Sequence, residues 1–383
     1  MITRNMPPLR GGMERLNLQI AIELQKAFDL LVVGPRGCAA SLPGATVVEV
    51  DHRSLGWFLL AGLVRAVRLA ARRRPAIVLA GSGVTAPLAF IAARVCGAQA
   101  AVYAHGLDLV APHVAYRLGW LPFLRRMDRC IVNSRHTAAL AHAAGIATER
   151  ITVLNPGVAP VASSDHDAAS RFRAQRGLQG RRVLVSVGRL TSRKGILEFV
   201  ERSLPAIVSG CRDAVLVVIG DEAPDALAGS SKGMSERIAQ AARHHGLEDH
   251  VRILGPLAEA ELFDAYEAAD ALVFPVRDVP GDVEGFGMVA IEAAAHGVPT
   301  IAFAVGGIPD AVLDGHSGWL VPAGDYATFA DRVLQTLRSP APAAREDCRR
   351  FASRFFWDAF GIRLRRLFAD WLGTAAVAAE TPP

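Results

Sequence analysis

VLVSVGRLTSRKGILEFV, residues 183–200, passes from an unbroken apolar run through a glycine into a second apolar pattern with helical spacing. Val183–Val187 is rich in β-branched residues and has the length of a buried strand. Gly188 ends it, Arg189 follows, and Lys194-Gly195 opens the next helix. A strand that turns at a glycine into a helix is half of a βαβ unit, so this stretch predicts a parallel sheet with helices on its faces. The same residues suggest chemistry. Two cations five positions apart at a strand end, beside a helix N-terminus with free N–H groups, make a site for a diphosphate. The plainer reading is that Arg189 and Lys194 solvate a loop.

Outward from this point the pattern repeats. Upstream, LLVVGP, ATVVEV, AIVLAG, AAVYAHG and RCIVNS read as short buried strands, and downstream AVLVVIG, VRILG, ALVFP, TIAFA and GWLVP continue the series. The polar segment between Ala159 and Gly180 carries no strand signal. The expected organisation is α/β, with a first Rossmann-like domain over residues 1–160, a connection over 161–180 and a second Rossmann-like domain over 181–340. Helices rich in Arg, Phe and Trp follow over 341–383, ending in a disordered tail. Two doubly wound domains facing each other bring the carboxyl ends of both sheets to one cleft, where ligands bind in such folds.

At 383 residues the chain is long for one core. With 51% hydrophobic and 21% charged residues it is a folded protein rather than a disordered one. Its five scattered cysteines, with no CxxC, argue against a disulfide framework or a zinc site and for a reducing, cytosolic setting. The N-terminus MITRNMPPLRGG has no apolar core of the signal-peptide kind. LGWFLLAGLVRAVRLAA is interrupted by Arg65 and Arg68 and falls short of the roughly 18–20 apolar residues of a spanning helix. A net charge of +5 points to anionic partners. Nucleic acid is not expected among them, for lack of a helix-turn-helix, a zinc module or an aromatic-basic sheet face.

Four further segments bear on function. In MPPLRGGMERL, Gly11-Gly12 precedes an amphipathic helix, where glycines admit a phosphate close to the backbone, although such pairs also form plain turns. In YAHGLD, His105 and Asp108 follow a buried strand and are expected to point into the cleft. In GDVEGFGMVAIEAAAHGVP, Glu284 stands beside a glycine turn and Glu292 eight positions on, inside an Ala-rich helix. Eight residues is a little over two turns, so both would share a face of one continuous helix. The glycines instead make the first turn a backbone-amide cradle, which sets one carboxylate on each of two polyhydroxylated groups. Joined by a diphosphate, these describe a nucleotide sugar. The Asp-x-Asp at Asp165–Asp167 sits in the polar connection and reads as solvated linker.

PPLRGGMERL, AHGLD, NPGV, VGRLTSRKG, GDVEGFGMVAIEAAAHGVP and AVGGIPDAV occur together and in order, and through them the chain resembles the retaining glycosyltransferases of family four, which have the GT-B fold. The resemblance spans nearly the whole length. It implies that Arg189 and Lys194 neutralise the donor diphosphate and stabilise it as it leaves, and that Glu292 binds ribose hydroxyls. Glu284, with the amides of Phe286, Gly287 and Met288, would hold the sugar hydroxyls. His105 would contact the donor from the first domain, Gly12 would approach the distal phosphate, and Leu254 would lie near the base. Terminal helices would return to the first domain. No metal and no cofactor are implied, because the cations do that electrostatic work. Only Met1–Asn5 precede MPPLRGG, where the family has a full first strand. Either that strand is cut short, and the sheet loses a member, or the start lies upstream.

The resemblance also implies a lipid-linked or glycan acceptor in envelope glycan synthesis. The loop PVRDVPGDVEGFG is similar to that of mannosyltransferases acting on phosphatidylinositol mannosides, which favours GDP-mannose over UDP-sugars. Trp57–Pro75 reads as a basic amphipathic helix; Arg65, Arg68, Arg72, Arg73 and Arg74 would meet an anionic membrane surface from the cytoplasmic side, or simply solvate a surface helix. Two rivals remain: a sugar-nucleotide epimerase of the same fold, which needs acid/base carboxylates around the sugar ring, and a non-catalytic nucleotide-sugar-binding protein.

Overall fold

The computed structural model describes residues 1–9, 11–161, 166–222, 233–338 and 342–374. The chain divides into two compact units, Met1–Gly157 with Trp357–Pro383, and Val158–Phe356.

The second unit holds a single parallel sheet. Its strands are β7 (Arg182–Val187), β8 (Ala214–Ile219), β9 (Val251–Gly255), β10 (Ala271–Phe274), β11 (Thr300–Phe303) and β12 (Gly318–Val321); the first unit's six strands take the earlier numbers. The spatial order is β12-β11-β10-β7-β8-β9, a doubly wound sheet whose winding reverses between β7 and β10. The central strands β8, β10 and β11 are buried along their whole length, as expected of a sheet covered by helices on both faces. Every apolar run read from the sequence in this half is one of these strands.

In the first unit the strands are β1 (Leu31–Pro35), β2 (Thr46–Val50), β3 (Ile77–Ala80), β4 (Gln99–Ala104), β5 (Arg129–Val132) and β6 (Ile151–Val153). They form a two-stranded sheet, β1-β2, and a four-stranded sheet, β3-β4-β5-β6. The segment of residues 1–3 joins them, with Ile2 bridging in parallel to Val33 of β1 and to Ala80 of β3. It holds on through backbone bonds: Ile2 N–H to Leu79 O at 2.7 Å, Thr3 N–H to Val33 O at 3.0 Å, and Gly81 N–H to Ile2 O at 2.9 Å. This segment thus runs between β1 and β3, where a first strand is expected. Below it, between β1 and β3, lies an apolar cavity of about 350 Å³ walled by Leu24, Phe28, Leu31, Val78 and Phe368 among others. The Met1 amine sits at its edge and donates to Leu31 O at 2.7 Å. Burial lowers the amine's pKa from 8.0 to about 5.

Two boundaries differ from those read in the sequence. The connection contains a helix, His166–Gln175, whose Phe172 joins the second unit's core and whose Ala168 is also buried. After residue 340, the helix Pro342–Ser353 packs on Met288–Ala295 in the second unit, and only from Trp357 does the chain belong to the first. The helix Trp357–Leu372 packs on Gly12–Gln25, with Arg365 paired to Glu23, a carboxylate with no exposure. Gly361 makes room there, since a Cβ would lie 2.1 Å from Glu23 Oε2. Among the described residues no helix is long and apolar enough to cross a membrane.

Candidate active site

The winding of the second sheet decides what meets at its carboxyl edge. β7 and β10 are neighbours whose outgoing loops leave at the reversal point, where a crevice forms in such sheets. The β7 loop brings Arg189, Arg193 and Lys194; the β10 loop brings Asp282 and Glu284. The two loops are sewn together by backbone. Arg277 N–H donates to Arg193 O at 2.8 Å, and a Cβ on Gly195 would stand 2.0 Å from Pro275 O, so only glycine fits.

Glu284 is the centre of this arrangement. Its Oε2 accepts from Arg193 Nη1 at 2.5 Å and from Lys194 Nζ at 2.7 Å. Arg193 Nε also lies 2.9 Å from Asp282 Oδ1 as an ion pair, without the alignment of a hydrogen bond. No described residue bonds Glu284 Oε1. Burial alone would raise the Glu284 pKa, but Lys194 and Arg193 more than offset it and hold the group at about 2. The Lys194 pKa is lowered, first by burial and then by the neighbouring Arg193 and Arg189 charges, against the opposing pull of Glu284. Its ammonium lies 4.8 Å over the Phe274 ring. Arg189 is exposed, and no described side chain pairs with it.

The Glu284 backbone is fixed from a third loop. Gly307 N–H donates to Glu284 O at 2.8 Å. Cβ atoms on Gly306 and Gly307 would stand 2.5 Å from Glu284 O and 2.0 Å from Gly285 O respectively. Two residues on, Gly287 adopts φ 96° and caps the helix Met288–Ala295. No described acceptor takes the amides of Phe286, Gly287 or Met288, consistent with the free N–H groups that open a helix. The Phe286 side chain is core, 5.8 Å from the Phe355 ring.

Glu284 and Glu292 do not share a helix, since Glu284 precedes the helix and Glu292 lies within it. Glu292 is 6% exposed, and Tyr266 Oη donates to its Oε2 at 3.1 Å. His296 stacks on Tyr266 at 5.4 Å and bonds Glu267 through Nδ1 at 2.8 Å. Leu254 is half-buried in β9.

Gly12 and His105 belong to the first unit. Gly12 is exposed at the start of the helix Gly12–Gln25. His105 follows β4, with Nε2 2.9 Å from Gly81 O; a carbonyl only accepts, so that nitrogen carries the proton. Asp108 departs from expectation: its carboxylate accepts the His105 N–H at 3.0 Å and caps its own turn. Of the Asp-x-Asp, Asp165 lies outside the described residues, and Asp167 is an exposed acid in the first turn of His166–Gln175. Arg65, Arg68, Arg72, Arg73 and Arg74 are all exposed along or just beyond the helix Leu55–Arg73, together with Trp57 at 56% and Leu60 at 60%. Among the described residues no three His, Cys, Asp or Glu side chains gather as a metal site would require.

Arg193 was not singled out in the sequence. Its signal was there as two adjacent cations, Arg193-Lys194, opposite the acidic pair of Asp-x-Glu at Asp282–Glu284.

Known proteins resemble this chain along most of its length. Residues 10–161 match the family described as Glycosyltransferase Family 4, and residues 181–339 match Glycosyl transferases group 1. The chain is 28% identical over 90% of its length, and 90% of the relative's, to a GDP-mannose-dependent alpha-(1-6)-phosphatidylinositol monomannoside mannosyltransferase of Mycolicibacterium smegmatis. It is 33% identical to a D-inositol 3-phosphate glycosyltransferase of the same organism, over 64% of this chain and only 54% of that one. Among solved structures, Anabaena Alr3699/HepE in complex with UDP-glucose matches 96% of this chain and 99% of its own at TM-score 0.76 and 19% identity. A glycosyltransferase from Rickettsia africae matches 98% and 99% at TM-score 0.80 and 16% identity. At these identities the structures speak to the fold, which is GT-B.

Proposed function

The chain belongs to glycosyltransferase family 4, and from that premise we propose that it transfers a hexose with retention from GDP-mannose to a hydroxyl of a glycolipid or polysaccharide precursor. The observation that carries this reading is Glu284. One carboxylate oxygen is held by two cations, the other has no described partner, and a row of helix-opening amides follows. A sugar hydroxyl donates to Oε1, while Lys194 and exposed Arg189 neutralise the diphosphate and its charge on departure. Glu292, oriented by Tyr266, accepts from the ribose. GDP-mannose is preferred to UDP-sugars because the mannosyltransferase relative, GDP-mannose-dependent by name, aligns along 90% of both chains. No metal is required in this scheme, since the cations come from the chain.

Thermal unfolding in the presence of GDP, UDP, ADP and their sugars, with EDTA throughout, tests it. Stabilisation by guanine nucleotides supports the proposal, a shift with uracil nucleotides alone redirects the donor, and no shift with any of them removes the donor site.

As part of the same reading, the chain works at the cytoplasmic face of a membrane. The helix Leu55–Arg73 presents Trp57 and Leu60 near its start and Arg68 and Arg72 further along, a combination suited to anionic lipid. Co-sedimentation with anionic liposomes at low salt is expected, and should be lost when Arg65, Arg68 and Arg72 are changed to Glu. Absence of binding by the unaltered protein would refute the membrane assignment.

A further inference from the structure

We propose that Arg193 is a positioning residue that retains Glu284 so that Lys194 can leave it for the donor's diphosphate. The inference rests on the donor-site reading above. A single oxygen, Glu284 Oε2, is shared by Arg193 at 2.5 Å and Lys194 at 2.7 Å. Both cations are mostly buried, at 12% and 16% side-chain exposure, and so is the carboxylate at 14%.

A buried carboxylate left with one counter-charge binds it tightly, because losing it would strand an unpaired charge away from water. With Lys194 as the only partner, Glu284 would compete directly with the donor for the ammonium. Arg193 changes that balance. Its planar guanidinium spans two carboxylates, Asp282 through Nε at 2.9 Å and Glu284 through Nη1, while a lysine on its flexible stem is a movable point charge. The Arg193 backbone is pinned by Arg277 N–H at 2.8 Å, so the fork stays in place when the ammonium moves. Glu284 keeps a partner on Oε2, and Oε1 remains turned to the sugar.

Calorimetric affinity for nucleoside diphosphates reads this role without depending on turnover. For whichever of GDP, UDP or ADP the unaltered protein binds, Arg193→Gln should weaken binding at least about tenfold, and Arg193→Lys, which keeps the charge but loses the fork, should fall between that variant and the unaltered protein. The decisive comparison is in the Glu284→Gln background, where no carboxylate competes for Lys194. There Arg193→Gln should change affinity by less than about threefold, a comparison that holds even if the single variant fails to fold. A tenfold loss in that background would mean that Arg193 acts only on structure or directly on the ligand, and would overturn the proposal. Equal affinity of Arg193→Gln and the unaltered protein would overturn it as well. Binding of none of the three nucleotides by the unaltered protein is a different failure, that of the donor site itself.

Discussion

The same position in the winding order is filled in two very different ways. In the second unit the first strand of the sheet is β7, which pairs with β8 over six residue pairs and with β10 on its other side. In the first unit the equivalent place, between β1 and β3, is taken by residues 1–3, in which only Ile2 bridges both neighbours among the described residues, beside an apolar cavity of about 350 Å³. The charged cluster hangs from β7 and its paired neighbour β10. Glu284, Arg193 and Lys194 need positions good to fractions of an ångström, and a fully paired strand supplies a rigid base for them. In the first unit the equivalent segment bonds both flanking strands through main-chain groups, beside apolar space.

The strongest way to break this comparison is to remove the charges and leave the scaffold. Lys194→Ala and Glu292→Ala should each lower turnover at least about tenfold, with circular dichroism and cooperative unfolding retained. Normal turnover in either variant would remove that residue from the site.

Acid should separate the two units next. The Glu284 pKa is depressed from 4.5 to about 2 in the folded protein, so its stabilisation is complete above about pH 4.5 and is lost as pH falls towards 2. The shift corresponds to on the order of 3 kcal/mol. The stability advantage over Glu284→Gln should shrink across that window, and an advantage that stayed constant would contradict the ion-pair account. The Met1 amine works in the opposite range. Its folded pKa is lowered from 8.0 to about 5, so the unfolded chain holds the extra proton between those values and stability climbs as pH rises from 5 to 8. Acetylation of that amine should flatten the slope between pH 5 and 8; an unchanged profile would show that the amine does not set it.

The smallest effect belongs to the acidic pair in the connection. Asp167→Ala removes an acid from a helix N-terminus and should cost no more than about 1 kcal/mol, with no change in turnover measured with and without EDTA. A tenfold fall in rate would force Asp167 into the site.

Most of this architecture could be read from apolar runs because buried parallel strands leave continuous β-branched segments. β6 escaped, being only Ile151–Val153 at a sheet edge and partly exposed. The pairing of residues 1–3 could not be read from periodicity, since three residues are too few to show one. The helix His166–Gln175 was hidden by its polarity, since it buries chiefly Ala168 and Phe172. At the site, Lys194 and Glu284 were visible as charges beside glycines at strand ends, but their direct pairing depends on β7 and β10 being neighbours, a fact of topology that local spacing does not carry. Asp108 was misread for a similar reason. A short acid just after a turn can serve its own backbone, and its distance from a strand end does not tell which way the carboxylate points.

The bond from Gly307 N–H to Glu284 O has a bearing on sequence drift. It joins main chain to main chain, so no side-chain replacement in the preceding loop, Val276 to Val283, can delete it. That loop can change its side chains from one descendant to another while Glu284 stays anchored. The vulnerable positions are Gly306 and Gly307, where even an added methyl group would collide with the Glu284–Gly285 backbone. Mutational tolerance should therefore be wider along the loop before Glu284 than at these two glycines, whose constraint is set by backbone alone.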